Sequence, residues 1–177
     1  MSHLRTLCVM GTFDSQANRE IYGIKERLKN QGISIDTYEP HLTFGIYTHL
    51  DETSLAEWIG QVSAQGKRIA VYFNHFGFFP DGRFCFLAPS SNHNLLGLYS
   101  KIREKYDDHC TDKGCLYSLS QKNWVPHTTL AAVEPGQEAK LLSVLWESFS
   151  PFEAELRQLK ITSSDTSEDV AVFELQG

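Results

Sequence analysis

The sequence is short of most features that would place it in a special class. Its six prolines and twelve glycines in 177 residues gather into no low-complexity segment or long linker. No apolar run approaches the roughly 20 residues that a membrane-spanning helix needs. The start, MSHLRTLCVMG, has only a short apolar run at 7–10 and no cleavage pattern, so no signal peptide is expected and the expected location is cytoplasmic. Basic charge is also scarce: 16 Lys and Arg against 22 Asp and Glu leave a net charge of −6 at pH 7. That balance argues against a protein gripping long nucleic acid by its backbone, because such binding rests on phosphate neutralisation by cations. A small phosphorylated ligand held by a few local groups stays compatible with it.

Cysteine is sparse and scattered, at 8, 85, 110 and 115. Cys8 and Cys85 sit in strand-like apolar runs and are expected to be buried as small hydrophobes. HCTDKGC, with His109, Cys110 and Cys115, offers three potential metal ligands, but the spacing is loose and no second pair follows. A redox disulfide has little support in a reducing compartment. An oxidoreductase or metal enzyme built on this pair therefore ranks low.

What is present is an alternating series of strands and helices. A strand is expected over residues 4–10. Asp14 or Ser15 then caps a helix carrying Ala17, Ile21, Ile24 and Leu28 at helical spacing, ended by Gly32. In PHLTFGIY (40–47) Leu42, Phe44 and Ile46 alternate with the rest, as in a strand with one buried face. Leu55, Trp58, Ile59 and Val62 mark a second helix, and a strand follows at about 68–76. After the turn signal Pro80-Asp81-Gly82 the order repeats. A strand at 83–88 leads to a helix capped by Ser91 or Asn92 and carrying Leu95, Leu98, Tyr99, Ile102 and Tyr106. An irregular stretch (107–123) precedes the strand of VPHTTLAA (125–132). Leu142, Leu145, Trp146 and Phe149 mark a fourth helix, and residues 152–162 form a strand whose alternation slips near Gln158, as at a bulge. A strand at 170–175 is left over. Each half thus runs strand, helix, strand, helix, strand: an internal duplication.

The duplication pairs two short segments. PHLTF (40–44) and PHTTL (126–130) take the same place in the two halves: a proline, His-x-Thr, then a large apolar residue. One such motif among seven histidines means little, whereas two in matching positions are rare by chance. In a strand, residues two apart share a face. His41, Thr43 and Gly45 are therefore expected on one face, and His127, Thr129 and Ala131 on one face in the second copy. Gly45 and Ala131 would leave room beside each polar pair. Two imidazoles facing one centre suit general acid–base catalysis, since imidazole titrates near neutrality. Threonine hydroxyls suit donation to oxygens whose charge grows in the transition state. No carboxylate-rich cluster accompanies them, so no metal and no cofactor is expected.

HLTF at 41–44 and HTTL at 127–130 resemble the signature of the two-histidine (2H) phosphoesterase superfamily, whose members include 2′-5′ RNA ligase-like proteins and cyclic nucleotide phosphodiesterases. The resemblance spans nearly the whole chain, because the duplicated order and the length also match. It implies an α+β fold of duplicated β-α-β-α-β lobes, with antiparallel sheets around a central cleft. As a domain, residues 1–177 would be a single two-lobed unit, with lobe-forming halves at roughly 1–81 and 82–177. It also implies metal-independent chemistry at 2′,3′-cyclic phosphates or 2′-5′ phosphodiesters of RNA ends or small nucleotides, possible in the ligase direction too. By position, His41 and His127 are the acid and base, and Thr43 and Thr129 bind the phosphoryl oxygens. Some RNA ligase-like members carry an arginine two residues after the second motif, where this chain has Ala132. The alternative is a binding module on the same fold that captures a nucleotide or phosphometabolite without turnover. Arg5, Arg83 and Lys122 are candidate phosphate-steering cations, and Tyr72, Phe84 and Trp124 candidate base-stacking rings. His75 is expected to be an ordinary sheet residue. The run Phe76–Phe79 is expected to form a cleft wall or a lobe's core.

Overall fold

The computed structural model describes residues 5–79, 83–90 and 92–177; Leu4, the turn Pro80-Asp81-Gly82 and the alternative cap Ser91 lie outside them. The chain runs β1 (Leu7–Phe13), α1 (Ser15–Asn30), β2 (Ser34–Ile35), β3 (His41–Tyr47), α2 (Glu52–Gln65) and β4 (Ile69–Phe79). It continues through β5 (Phe84–Pro89), α3 (His93–Arg103), a 3-10 turn (Asp112–Tyr117), β6 (Thr128–Ala132), α4 (Glu138–Ser148), β7 (Phe152–Ser163) and β8 (Asp169–Glu174). Among the described residues no helix is long and apolar enough to cross a membrane.

The expected helices form for the expected reasons. The Asp14 carboxylate accepts from the backbone N–H groups of Gln16 and Ala17, satisfying donors that a helix start leaves orphaned. Ala17, Ile21, Ile24 and Leu28 are buried, and Gly32 follows at φ 76°, where a side chain would be strained. Asn92 caps α3 through Asn94 and Leu95, and α3 ends at Arg103, before Tyr106. In α4 the phase differs from the expected one. Leu141 and Leu145 face the core, whereas Leu142 and Trp146 are 39% and 80% exposed.

All strand pairings among the named strands are antiparallel. The order across the sheet is β2-β6-β5-β4-β7-β1-β3, with β8 joining β7. Leaving β2 and β8 aside, exchanging β1 with β5, β3 with β6 and β4 with β7 reverses that order and leaves it unchanged. The sequence duplication is thus an approximate two-fold axis between β4 and β7, at the pair Val71↔Ala154. The two halves exchange their last strands: the end of β4 pairs with β5, and the end of β7 with β1. Sequence halves and sheet halves therefore do not coincide.

The axis is visible in the irregularities as well. Val9↔Gly45 is followed by Met10↔Thr43, and Cys85↔Ala131 by Phe86↔Thr129, so Phe44 and Leu130 are the extra residues of two matching bulges. A second matched pair lies in β7 and β4. Phe13↔Leu156 and Thr12↔Gln158 skip Arg157, and Phe73↔Pro89 and His75↔Ala88 skip Asn74. The slip expected near Gln158 is the first of these. One face of the sheet packs against the four helices over the main apolar core, in which Leu7, Val9, Leu42, Phe44, Phe73, Leu87, Leu130 and Leu156 are nearly or wholly inaccessible. Each such side chain contributes roughly 1.5–3 kcal/mol by leaving water. β3, at one end of the path, and β6, next to the other end, also touch each other, so the sheet curls until its two motif strands meet.

Candidate active site

The registers place three cross-strand rows on the face turned away from the helices. In the half of the sheet with the first motif they are Gln158–Thr12–His41, Lys160–Met10–Thr43 and Thr162–Cys8–Ile46. The half with the second motif has His75–Ala88, a row that the register extends to His127, then Gly77–Phe86–Thr129 and Phe79–Phe84–Ala132. His41 with Thr43, and His127 with Thr129, therefore share the open face, as the strand period requires.

Gly45 and Ala131 do not. The bulges turn both residues toward the helices, where Ala131 is fully buried. A Cβ on Gly45 would lie 2.6 Å from Nη1 of Arg103 and 2.9 Å from the Tyr47 ring. Gly45 makes room for a buried guanidinium, whose centre sits 4.5 Å over Tyr47. The same shift brings Ile46, expected in the core, to the open face.

Each imidazole is held in the same way. Nδ1 of His41 donates to the carbonyl of Glu39 (2.6 Å), and Nδ1 of His127 to that of Val125 (2.7 Å). A ring nitrogen facing a carbonyl carries the proton, so in the neutral ring Nε2 bears the lone pair. Burial lowers the pKa of both histidines below the usual value. For His41 the Glu39 carbonyl and the charges of Asp36 and Glu39 partly offset burial. For His127 the charge of His41 adds to the lowering. The two rings thus sense each other, and the doubly protonated pair is disfavoured.

Their surroundings differ. Beside His41 lies a hollow of about 220 Å³ with Thr12, Tyr38, Lys160, Thr162 and Ser167 in its wall. Lys160 is not a free cation there, because its ammonium meets Glu39 at 2.8 Å and Asp169 at 3.1 Å. Buried Lys25 binds the Asp36 carboxylate (2.8 Å) and the Tyr38 carbonyl (3.0 Å), which fixes the segment leading into β3. Beside His127 lies a larger, mainly apolar hollow of about 420 Å³, walled by Ile46, Phe79, Phe84, Leu116, Tyr117 and Trp124, with Lys113 at its edge. The Phe79 ring stands 4.8 Å from His127 and 4.4 Å from Phe86. Gly77 permits this, since a Cβ there would lie 2.6 Å from the Phe86 ring.

The candidate supporting residues divide. Phe84, 42% exposed, lines the apolar hollow. Trp124 lines it too, but its Nε1 donates to the Thr43 carbonyl (2.9 Å) and its ring stacks on Tyr99 at 4.2 Å, so it braces the first motif from behind. Tyr72, Arg5, Arg83 and Lys122 line neither hollow, and Arg5 faces Glu52 at 3.5 Å. His75 is an exposed sheet residue bonded through Nδ1 to Asn74 (2.7 Å). The aromatic run splits: Phe79 enters the open face, while Phe76 packs on Trp146 and Phe149 of the α4 region. Cys8 and Cys85 are buried as expected, and Cys110 and Cys115 are free thiols. Among the described residues no group of three or more His, Cys, Asp or Glu is placed to hold a metal ion.

Three site residues were not read from the sequence. Lys160 had a signal, since Gln158, Lys160 and Thr162 alternate with Leu159 and Ile161. Lys113 and Tyr117 sit in the irregular stretch, which has no period to read. Burial pushes the Tyr117 phenol and the Cys8 thiol up to about 12, and the nearby Thr43 hydroxyl offsets this only in part. Both stay protonated at neutral pH beside that hydroxyl.

With this geometry in place, a family model described as the 2′-5′ RNA ligase superfamily matches residues 39–168, a span that includes both His-x-Thr motifs. Comparison with curated proteins finds no match. Among solved structures, E. coli LigT complexed with NADP+ superposes with a TM-score of 0.70 at 12% identity, over 99% of this chain and 100% of that one. LigT complexed with 3′-AMP gives 0.68 at 12% identity over the same shares. TT0787 of Thermus thermophilus gives 0.67 at 14% identity, over 97% of this chain and 98% of that one. At such identities the likeness is one of fold.

Proposed function

The chain belongs to the 2′-5′ RNA ligase (2H phosphoesterase) superfamily, and from that premise we propose that it cleaves a phosphodiester at the ribose 2′ oxygen of a small nucleotide or RNA end, as a 2′,3′-cyclic phosphate or a 2′-5′ linkage, without a metal. The observation that carries the reading is the matched pair of imidazoles. Each is oriented by the carbonyl two residues upstream and presents Nε2 to the face shared with a threonine hydroxyl. Such a pair holds one proton more readily than two. The neutral ring then takes the proton of an attacking water, and the protonated ring delivers one to the departing ribose oxygen as the P–O bond breaks. Thr43 and Thr129 donate to the non-bridging oxygens, with Tyr117 as a neutral donor beside Thr43. The approximate symmetry leaves both assignments of acid and base open.

The apolar hollow at His127 suits a nucleobase, with Phe79 and Phe84 as its faces. LigT has been crystallised with 3′-AMP and with ATP, which supports small nucleotides as the ligand class. The test is a panel of 2′,3′-cyclic nucleotides and 2′-5′ dinucleotides, assayed with wild type and His127→Ala in parallel. Turnover of at least one substrate, lost in the variant, is expected. Saturable nucleotide binding without turnover anywhere on the panel would replace the enzyme by a binding module.

A further inference from the structure

A further sizeable hollow lies away from the histidines. It measures about 530 Å³ and lies between the end of α2, the start of β4 and the first turns of α3. This is the helix-bearing face of the sheet, where Ile69 is buried. Among the described residues its wall carries Lys67, Arg68, His93 and Lys101 and no carboxylate, although acidic residues outnumber basic ones 22 to 16 in the chain. His93, Gly97 and Lys101 recur at i, i+4 and i+8, so they form one stripe along α3. Gly97 empties the middle of that stripe: a Cβ there would meet nothing within 4 Å. Packing does not require glycine at this point, and glycine is a poor residue for a helix interior. Its effect is a bare helix floor between two basic side chains.

The cations are available. Lys67 has no ion pair among the described residues. Arg68 stands 3.8 Å from Glu155, and Lys101 meets Glu104 at 2.7 Å with both side chains well exposed. Exposed pairs of this kind hold their partners weakly. The N-terminal end of α3 adds its dipole in the same sense. We propose that this hollow is a second ligand site, taking a short linear polyphosphate, free or as the tail of a nucleoside triphosphate. The spacing selects a chain of phosphates over a single one. His93 and Lys101 are eight residues apart, about 12 Å along a helix axis, so a lone phosphate reaches one end of the stripe and a polyphosphate reaches both.

The experiment titrates inorganic tripolyphosphate, and separately ATP, into the double variant His41→Ala/His127→Ala by calorimetry at low and at physiological salt. Turnover is abolished there, and ligand still held at the cleft is told apart from the second site because the substitutions that follow touch only the latter. Saturable binding that weakens with salt is expected. It should fall at least tenfold in Lys67→Glu/Arg68→Glu, and equally in Gly97→Leu, which fills the floor without changing charge. Thermal melts of the variants should match the parent. Equal affinities would identify the polyphosphate alone as ligand, and tighter ATP a nucleoside-borne one. Absence of saturable binding by both probes overturns the proposal. So does binding of both probes whose affinity and stoichiometry the charge reversal and the leucine leave unchanged.

Discussion

The two motif halves share a backbone and differ in what faces the cleft. In one, His41 and Thr43 stand beside Thr12, Gln158, Lys160 and Thr162; in the other, His127 and Thr129 stand beside Ala88, Gly77, Phe86 and Phe79. The bulges, the registers and the Nδ1-to-carbonyl bonds repeat. The lateral rows do not. Lys160 on β7 corresponds to Gly77 on β4, so an ion cluster occupies one side where an aromatic stack occupies the other. What repeats is what paired proton transfer needs, and what differs is what a substrate with one apolar end and one polar end would need. On the proposed function, symmetry would build the reacting pair and asymmetry would orient the ligand on it.

The most severe way to break the comparison is to remove its shared element. His41→Ala and His127→Ala should each lower kcat on the order of 10²–10⁴-fold, with the double variant little worse than either single, because both rings act in one step. A single variant with full activity in a turnover assay would undo the pairing. Next in size is a loss of stability. Gly45→Ala drives a methyl against Arg103 and Tyr47 and should cost about 1–3 kcal/mol of unfolding free energy, as overpacking does. Ala131→Gly at the matching position removes a small side chain and should cost only about 0.5–1 kcal/mol. Equal denaturation midpoints for the two variants would show that Arg103 yields freely.

The motif pair could be read in the sequence because it is local: a strand period of two puts His and Thr on one face whatever the strand pairs with. Its limits are equally physical. The position of Gly45 depends on which residue of β1 lies opposite, and a bulge is a property of two strands. Neither HLTFGI nor HTTLAA contains that information alone. Strand exchange between the halves is likewise set by tertiary packing of β4 against β7. In α4, Leu142 and Trp146 fit a helical period as well as Leu141 and Leu145 do, and the packing of α1 against α4 selects the second phase. Tyr117 and Lys113 lie where no period exists, so only the 3-10 turn brings them to the cleft.

A smaller effect sharpens the division of labour between the flanks. Phe79→Ala removes the ring beside His127 and should raise KM for a nucleotide about tenfold while leaving kcat within a few-fold, as loss of roughly 1–2 kcal/mol of stacking would. Substrates lacking a base should be indifferent to the change. A fall in kcat at constant KM would instead mean that Phe79 serves the imidazole.

The smallest expected effect is a shift in pH dependence. Both histidines are held below the usual imidazole range, and the proposed acid–base mechanism needs one proton on the pair. The wild-type kcat/KM profile should therefore be a bell on the acidic side of neutrality, its limbs belonging to the pair rather than to either ring. Activity falls on the alkaline side as the shared proton leaves, and on the acidic side as the second arrives. Lys160 binds the carboxylate of Glu39, whose charge raises the His41 pKa. Lys160→Met leaves that carboxylate unneutralised, so the His41 pKa rises and the alkaline limb moves to higher pH by a few tenths of a unit, on the order of 0.5 kcal/mol. Phe86→Leu, in the other half, changes no charge but thins the packing on His127, so any shift it causes reflects burial and not an ion cluster. Identical profiles for wild type and Lys160→Met would mean that the ion cluster anchors the strand without tuning the imidazole, and the two flanks would then differ in shape alone.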